Sequence, residues 1–140
     1  MLKVIIDTVV FVRSLINPHS RWGHIVFTHN KLYQLFISES IVSEIFEVLK
    51  RPELTTKFHT MTKKDFRTVA DILGQASAVD IPKIPSVSRD PKDNKFLATA
   101  KAAQADYLIT EDRDLLDLES FENVKIITAL DFLRILEKKK

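Results

Sequence analysis

Short, continuous apolar runs recur along the chain, separated by longer stretches in which apolar residues follow a helical period. Runs of this length that are rich in β-branched residues are typical of strands covered on both faces, as in a parallel sheet. The first run ends at Asp7 and the third ends at Glu111. The predicted strands are residues 3–6, 32–37, 107–110 and 124–127.

The stretches between these runs predict helices with recognisable starts and stops. Asn17 and Pro18 end the first helix, Ser20 caps the second, and Pro52 ends the third. Strands that alternate with helices indicate an α/β fold, here a three-layer α/β/α sandwich with a mainly parallel central sheet. We expect residues 1–140 to form a single domain. The predicted helices are residues 8–16, 20–30, 38 or 40 to 51, 62–76, a segment that starts at Asp90, and 129–138.

The helix that starts near residue 90 carries the first candidate acid. Asp90 is the expected N-cap and Pro91 the first helical residue, which makes Asp93 the third. Apolar residues follow Asp93 at helical spacing, so the Asp93 carboxylate points towards the buried side. A carboxylate at the rim of an apolar face is costly unless it is paired or bound to a metal. The apolar residues are Phe96, Leu97 and Ala100.

Three acids are expected to meet at one edge of the sheet. Asp7 and Asp112 each follow a predicted strand closely, and Asp93 lies at a helix start. In parallel α/β sheets, ligands bind outside the carboxyl ends of the strands, where these positions lie. Glu44 is a fourth candidate, because it flanks the apolar stripe of its helix and has no cation three or four residues away.

Each acid also has a simpler explanation when it is taken alone. Asp93 could favour the positive end of a helix dipole, Asp112 could cap a short helix, and Glu44 could be a solvated helix residue. Asp7 is harder to explain in this way, because the residues before it are continuously apolar. Together, the simple explanations require four unrelated coincidences at one edge of the sheet.

Composition removes several classes of function. The chain has no cysteine, which excludes disulfides and thiolate sites, and its two glycines cannot form a glycine-rich nucleotide loop. The net charge of +2 is too small to indicate a nucleic-acid binder by itself. His19, His24 and His29 share no face of an α-helix, so no zinc site is expected. Without a long apolar run or a signal-peptide pattern, we expect a soluble, cytoplasmic protein with no membrane contact.

Three segments resemble PIN domains, and more narrowly the VapC-like ribonuclease toxins of type II toxin–antitoxin pairs. The segments are VIIDTVVFVRSL, SESIVSEIFEVLKRP and RDPKDNKFLATAKAAQADYLITEDRDLL. The resemblance implies a Mg²⁺- or Mn²⁺-dependent endoribonuclease, RNA as substrate, a small antitoxin partner and a homodimer. The positions that match the family's catalytic, metal-binding acids are Asp7, Glu44, Asp93 and Asp112.

The resemblance also suggests accessory positions, and the sequence adds cations for steering RNA. The accessory residues are Thr110, Asp114 and Asn94. The basic candidates near the same edge are Arg13, Arg89, Lys92, Lys95 and Arg113.

Two other functions stay open on the sequence. The family commonly reads Asp-Thr-Asn where this chain has Asp7-Thr8-Val9, which motivates a catalytically weakened PIN-fold module that binds RNA or protein. A haloacid-dehalogenase-like phosphatase also starts with an apolar strand and an aspartate. Its second aspartate would fall at Val9.

Overall fold

A six-stranded sheet forms the centre of the part of the chain that the structure, a computed structural model, describes: residues 1–51, 63–81 and 91–139. The strands lie side by side in the order β3-β2-β1-β4-β6-β5, and all neighbouring pairs are parallel except β5 with β6. The strands are β1 (Leu2–Ile6), β2 (Tyr33–Ile37), β3 (Ser77–Ala78), β4 (Tyr107–Ile109), β5 (Ser120–Phe121) and β6 (Val124–Ile127).

Helices flank the sheet and complete the three-layer α/β/α sandwich that the sequence predicted. Their apolar sides and the sheet share one core, in which Phe11, Ile41, Leu97 and Phe132 are fully buried. The helices are α1 (Thr8–Ile16), α2 (Arg21–Gly23), a π-helix (His24–Thr28), a 3₁₀ turn (Asn30–Leu32), α3 (Glu39–Leu49), α4 (Lys63–Gln75), a 3₁₀ turn (Pro91–Asp93), α5 (Asn94–Ala103), α6 (Arg113–Leu116) and α7 (Ala129–Lys138).

The sheet has a topological switch point at its middle strand, β1. β1 pairs with β2 on one side and with β4 on the other, so later strands are added in both directions from it. Val4 and Ile5 are fully buried, as a strand covered on both faces requires. A crevice forms at the carboxyl ends of strands at such a switch point, and it is the usual ligand site in this class of fold.

The predicted helix over residues 20–30 is wrong as a single α-helix. Ser20 does cap α2, through a hydrogen bond from the Gly23 N–H at 3.3 Å. The chain then widens into the π-helix, in which the His29 N–H donates to the His24 carbonyl at 2.8 Å. Because the hydrogen bonds of a π-helix join residues five apart, such residues lie on the same side of the helix. The statement that the histidines share no face is therefore wrong for His24 and His29, whose rings stack with centroids 6.3 Å apart.

The helical segment begins at Pro91 with Asp93 as its third residue, as predicted, but this first turn, Pro91–Asp93, is a 3₁₀ turn. Asp93 is therefore also the N-cap of the α-helical part, α5. Such tight turns frequently open α-helices. The buried placement of Asp93 is confirmed, since its exposed fraction is 6%. Four residues used in the predictions lie outside the described residues: Pro52 as a helix stop, Thr62 as the first residue of the predicted helix 62–76, Asp90 as an N-cap, and Arg89 as a candidate RNA-steering cation.

Candidate metal centre

Asp7 lies at the carboxyl end of β1 and is held by bonds to both of its carboxylate oxygens. Oδ1 accepts the Val9 N–H at 3.1 Å, which caps α1, and Oδ2 accepts the Thr110 hydroxyl at 2.6 Å. Burial raises the pKa of Asp7, and these two hydrogen bonds oppose that rise. The neighbouring charges of Glu44 and Asp112 raise it further.

Thr110 connects this acid to the next one. Its hydroxyl donates to Asp7 and accepts the Asp112 N–H at 3.0 Å. Asp112 in turn caps α6 by accepting the Asp114 N–H at 2.7 Å. The capping explanation of Asp112 is therefore correct, and it coexists with a position beside the other acids.

Three carboxylates form a tight group, which we call the Asp triad: Asp93, Asp112 and Asp114. One oxygen from each lies within 4.8 Å of the others. Asp93 is buried, whereas Asp112 and Asp114 are partly exposed. Oxygens on opposite sides of a Mg²⁺ ion lie about 4.2 Å apart, so small side-chain adjustments allow the triad to share one ion. The donor set, made entirely of carboxylate oxygens, fits a hard divalent cation.

All four of the predicted acids line one cleft, which has a volume of about 420 Å³. Asp7 and Glu44 lie on this cleft but do not belong to the Asp triad. The accessory candidate Asp114 takes part in the triad instead. The cleft-lining acids are Asp7, Glu44, Asp93 and Asp112.

Glu44 is held by two partners that the sequence pattern did not reveal. Its Oε1 accepts from the Lys95 ammonium at 3.1 Å, and its Oε2 accepts the Thr8 hydroxyl. Lys95 comes from α5, whereas helical spacing in the sequence can reveal only cations on the helix of Glu44 itself. Both side chains of the ion pair are about one-fifth exposed. Lys95, predicted to steer RNA, thus lies in an internal ion pair.

The remaining candidates are placed as follows. Arg13 and Lys92 are exposed and line the cleft. Arg113 is exposed at the start of α6, and Asn94 is buried at the start of α5. Val9 lies at the cleft with 48% of its surface exposed, so no side-chain amide is present at that position.

Comparisons with known proteins identify the family of the chain. The PIN-domain family model matches residues 3–114. An uncharacterized protein of Methanocaldococcus jannaschii, MJ1680, is 32% identical over 152 residues, covering 98% of this chain and 93% of the relative. The chain therefore belongs to the PIN-domain family and not to the haloacid-dehalogenase-like phosphatases.

Two solved structures share the fold. PAE2754 from Pyrobaculum aerophilum superposes with a TM-score of 0.61 at 14% identity, covering 98% of this chain and 90% of its own. VapBC2 from Rickettsia felis, bound to a DNA fragment from its promoter, superposes with a TM-score of 0.59 at 14% identity. The match covers 91% of this chain and 98% of the VapBC2 chain. Among the described residues, no helix has the length and apolar character needed to cross a membrane.

Proposed function

We propose that the protein is a metal-dependent endoribonuclease that hydrolyses RNA phosphodiester bonds. The observation that carries this proposal is the Asp triad, in which oxygens from three carboxylates lie within 4.8 Å of one another. The triad adjoins the cleft at the switch point of the sheet, where an elongated ligand can reach it. Membership of the PIN-domain family supports a nuclease as the class of enzyme.

In this proposal, the triad holds one Mg²⁺ or Mn²⁺ ion. When bound, such an ion would polarise a phosphate, lower the pKa of water and offset the charge of the carboxylates, which would otherwise repel the RNA backbone. Asp7 is fixed beside the triad by Thr110 and Val9. Its position beside the triad allows it to accept the proton of an attacking water.

Glu44 has a different part in the proposal. The Lys95 ammonium and the Thr8 hydroxyl each engage one of its oxygens. The ion pair compensates one negative charge in the wall of the cleft, while Glu44 fixes the position of α3 relative to α5. We therefore favour one ion at the triad over an arrangement in which Glu44 binds a second ion.

The biological setting is proposed on family grounds. VapBC2 from Rickettsia felis has the same fold and is a complex bound to promoter DNA. We propose that this chain is likewise the toxin of a toxin–antitoxin pair, forming a homodimer that a small antitoxin binds. A short neighbouring reading frame that encodes a DNA-binding motif would support this assignment, and growth arrest on expression of the isolated chain would test it.

The test of the nuclease proposal is RNA cleavage by the wild type and by Asp93→Asn, with Mg²⁺ or Mn²⁺ and with EDTA. The wild type should cleave single-stranded or structured RNA only with metal, and Asp93→Asn should not cleave while keeping a wild-type circular-dichroism spectrum. Asp71→Asn, at an exposed position of α4, is the matched control and should cleave normally. Wild-type cleavage by Asp93→Asn would contradict the proposal.

Val9 favours a second candidate function, a PIN-fold module that binds RNA without cleaving it. The side chain at this cleft position is an exposed hydrocarbon, where the family commonly has an amide that can hold a ligand or water. Tight RNA binding with no turnover at any Mn²⁺ concentration would establish this candidate. Restored cleavage in Val9→Asn would identify Val9 as the cause.

A further inference from the structure

Two arginines lie within cation–π distance of one tryptophan ring, and one of them, Arg13, lines the cleft that carries the acids. The guanidinium carbons of Arg13 and Arg21 lie 5.0 Å and 5.4 Å from the centroid of the Trp22 ring. The indole N–H of Trp22 donates to Glu111 Oε1 at 3.0 Å. These four residues, which we call the Trp22 cluster, join α1, α2 and the segment between β4 and α6.

The arginines of the cluster are arranged to bind an anion. Both are exposed, and neither forms an ion pair with any residue in the described ranges 1–51, 63–81 and 91–139. Stacking on the indole limits the orientations of a guanidinium while its N–H groups stay able to donate. The planar set of N–H donors on a guanidinium can form two hydrogen bonds to one phosphate. Because the indole already restricts the arginine side chain, less conformational entropy is lost when the phosphate binds.

The position of the cluster identifies which anion it can meet. Arg13 lines the same cleft as Asp7 and Asp112. Glu111, which holds the indole, is the residue directly before Asp112. The Arg13 guanidinium therefore lies at the edge of the acid-lined cleft, and Arg21 carries a second positive charge over the same Trp22 ring. A polyanion that places one phosphate at the acids would extend another towards the arginines. A mononucleotide with a single phosphate could not contact the acids and the arginines at the same time.

We propose that the Trp22 cluster binds the backbone phosphates of single-stranded RNA next to the bond that the acids attack. The inference rests on the proposed function for its substrate class. It adds a specific binding role for Arg13 and Arg21, with Trp22 positioning both and Glu111 positioning Trp22. Among the basic residues near the cleft, these two share a rigid aromatic support.

The experiment measures binding of a short single-stranded oligoribonucleotide in EDTA, where metal-dependent turnover does not interfere. The titrations start from low ionic strength, because the metal-free carboxylates repel the RNA, and this repulsion is the same in the wild type and in every arginine variant. Trp22 is the only tryptophan of the chain, so its fluorescence reports directly on the cluster. The readout is the slope of the logarithm of the binding constant against the logarithm of salt concentration. Each phosphate contact to single-stranded nucleic acid contributes about 0.7 to this slope.

Arg13→Gln and Arg21→Gln should each reduce the slope by about 0.7, and the double variant by about 1.4. Arg134→Gln, at an exposed position of α7, is the matched control and should keep the wild-type slope. Binding should also change the Trp22 emission. Wild-type affinity and slope in the double variant, or unchanged emission on saturation, would overturn the inference.

The outcomes separate this inference from the nuclease proposal. RNA binding that depends on both arginines, without cleavage at any metal concentration, supports the cluster and contradicts the nuclease. Metal-dependent cleavage with arginine variants that bind RNA normally supports the nuclease and contradicts the cluster.

Discussion

Asp7 is the most constrained acid of the site at the level of single residues. It is 4% exposed, it receives two hydrogen bonds, and it lies near the negative charges of Glu44 and Asp112. Burial dominates, so the pKa of Asp7 lies above its ordinary value of 3.8. The folded state then holds the Asp7 proton more tightly than the unfolded state does.

This difference predicts how stability changes with pH in the absence of metal. As pH rises from 3.8 through the folded-state pKa of Asp7, the free energy of unfolding should fall, because the folded state binds the extra proton only below that pKa. Asp7→Asn removes the effect. In EDTA the variant should exceed the wild type in stability at neutral pH, and this advantage should shrink as the pH falls through the folded-state pKa of Asp7 towards 3.8.

Urea denaturation across this range of pH is the measurement. Asp71→Asn serves as the control, because its side chain is exposed and should leave the pH profile unchanged. A variant Asp7→Asn that is less stable than the wild type at neutral pH would show that the two hydrogen bonds outweigh burial.

The other residues of the site show where sequence reasoning ends. The spacing around Glu44 correctly shows no cation on its own helix, yet Lys95, 51 residues later in the chain, supplies one. Only the packing of α3 beside α5 creates that pair. Asp114 was expected as an accessory residue, and its place in the Asp triad depends on the turn that Asp112 caps.

At the scale of elements, the ion pair between Glu44 and Lys95 connects two helices at the cleft. Lys95→Met should leave the Glu44 carboxylate near other carboxylates, with the hydrogen bond from the Thr8 hydroxyl as its remaining described partner. We therefore expect the free energy of unfolding to fall by about 1.5–3 kcal/mol. The exposed pair of Lys101 with Glu122 is the matched control. Lys101→Met should change stability by about 1 kcal/mol or less.

Chemical denaturation of the two lysine variants provides the comparison. Metal binding gives a second readout, because Lys95→Met frees one oxygen of Glu44 and should alter the Mn²⁺ affinity or stoichiometry. Equal effects of the two substitutions would contradict an internal role for Lys95.

Gly23 marks the point at which α2 packs directly on the preceding turn. A Cβ atom at this position would lie 2.0 Å from the Pro18 carbonyl oxygen, so backbone would have to move. Gly23→Ala should destabilise the fold by about 1–3 kcal/mol, the range typical of overpacking. At Gly74, in α4, a Cβ meets nothing within 4 Å, and Gly74→Ala should stabilise by about 0.5 kcal/mol.

Thermal unfolding of both alanine variants tests this contrast. Since the two substitutions add the same methyl group, opposite signs of the change in stability would isolate the close approach at Gly23. A stabilising Gly23→Ala would contradict the described packing of α2.

Elements with strong local patterns could be predicted, and the others depend on tertiary context. The helix bounds 8–16 and 129–138 and the strand 124–127 are confirmed to the residue. β3 and β5 have two residues each, too few to show alternation, and they exist because a neighbouring strand pairs with them. The π-helix could not be predicted, because the apolar residues of this segment are also spaced as an α-helix requires.

For the whole molecule, topology brings together acids that are far apart in sequence. Asp7 follows β1, Asp112 follows β4, and these strands are neighbours with Ile5 opposite Leu108. The sequence could predict a common edge, because parallel strands point the same way. It could not predict that β1 and β4 are adjacent, since strand order depends on how the helices cover both faces of the sheet.

The central claim is that the Asp triad binds a divalent ion, and calorimetric titration with Mn²⁺ tests it most directly. The wild type should bind Mn²⁺ with one ion per chain, and both Asp93→Asn and Asp112→Asn should weaken that binding strongly, whereas Asp71→Asn should bind as the wild type does. If Asp93→Asn and Asp112→Asn, folded normally by circular dichroism, bind Mn²⁺ with wild-type affinity, the triad is not the metal site and the account is wrong.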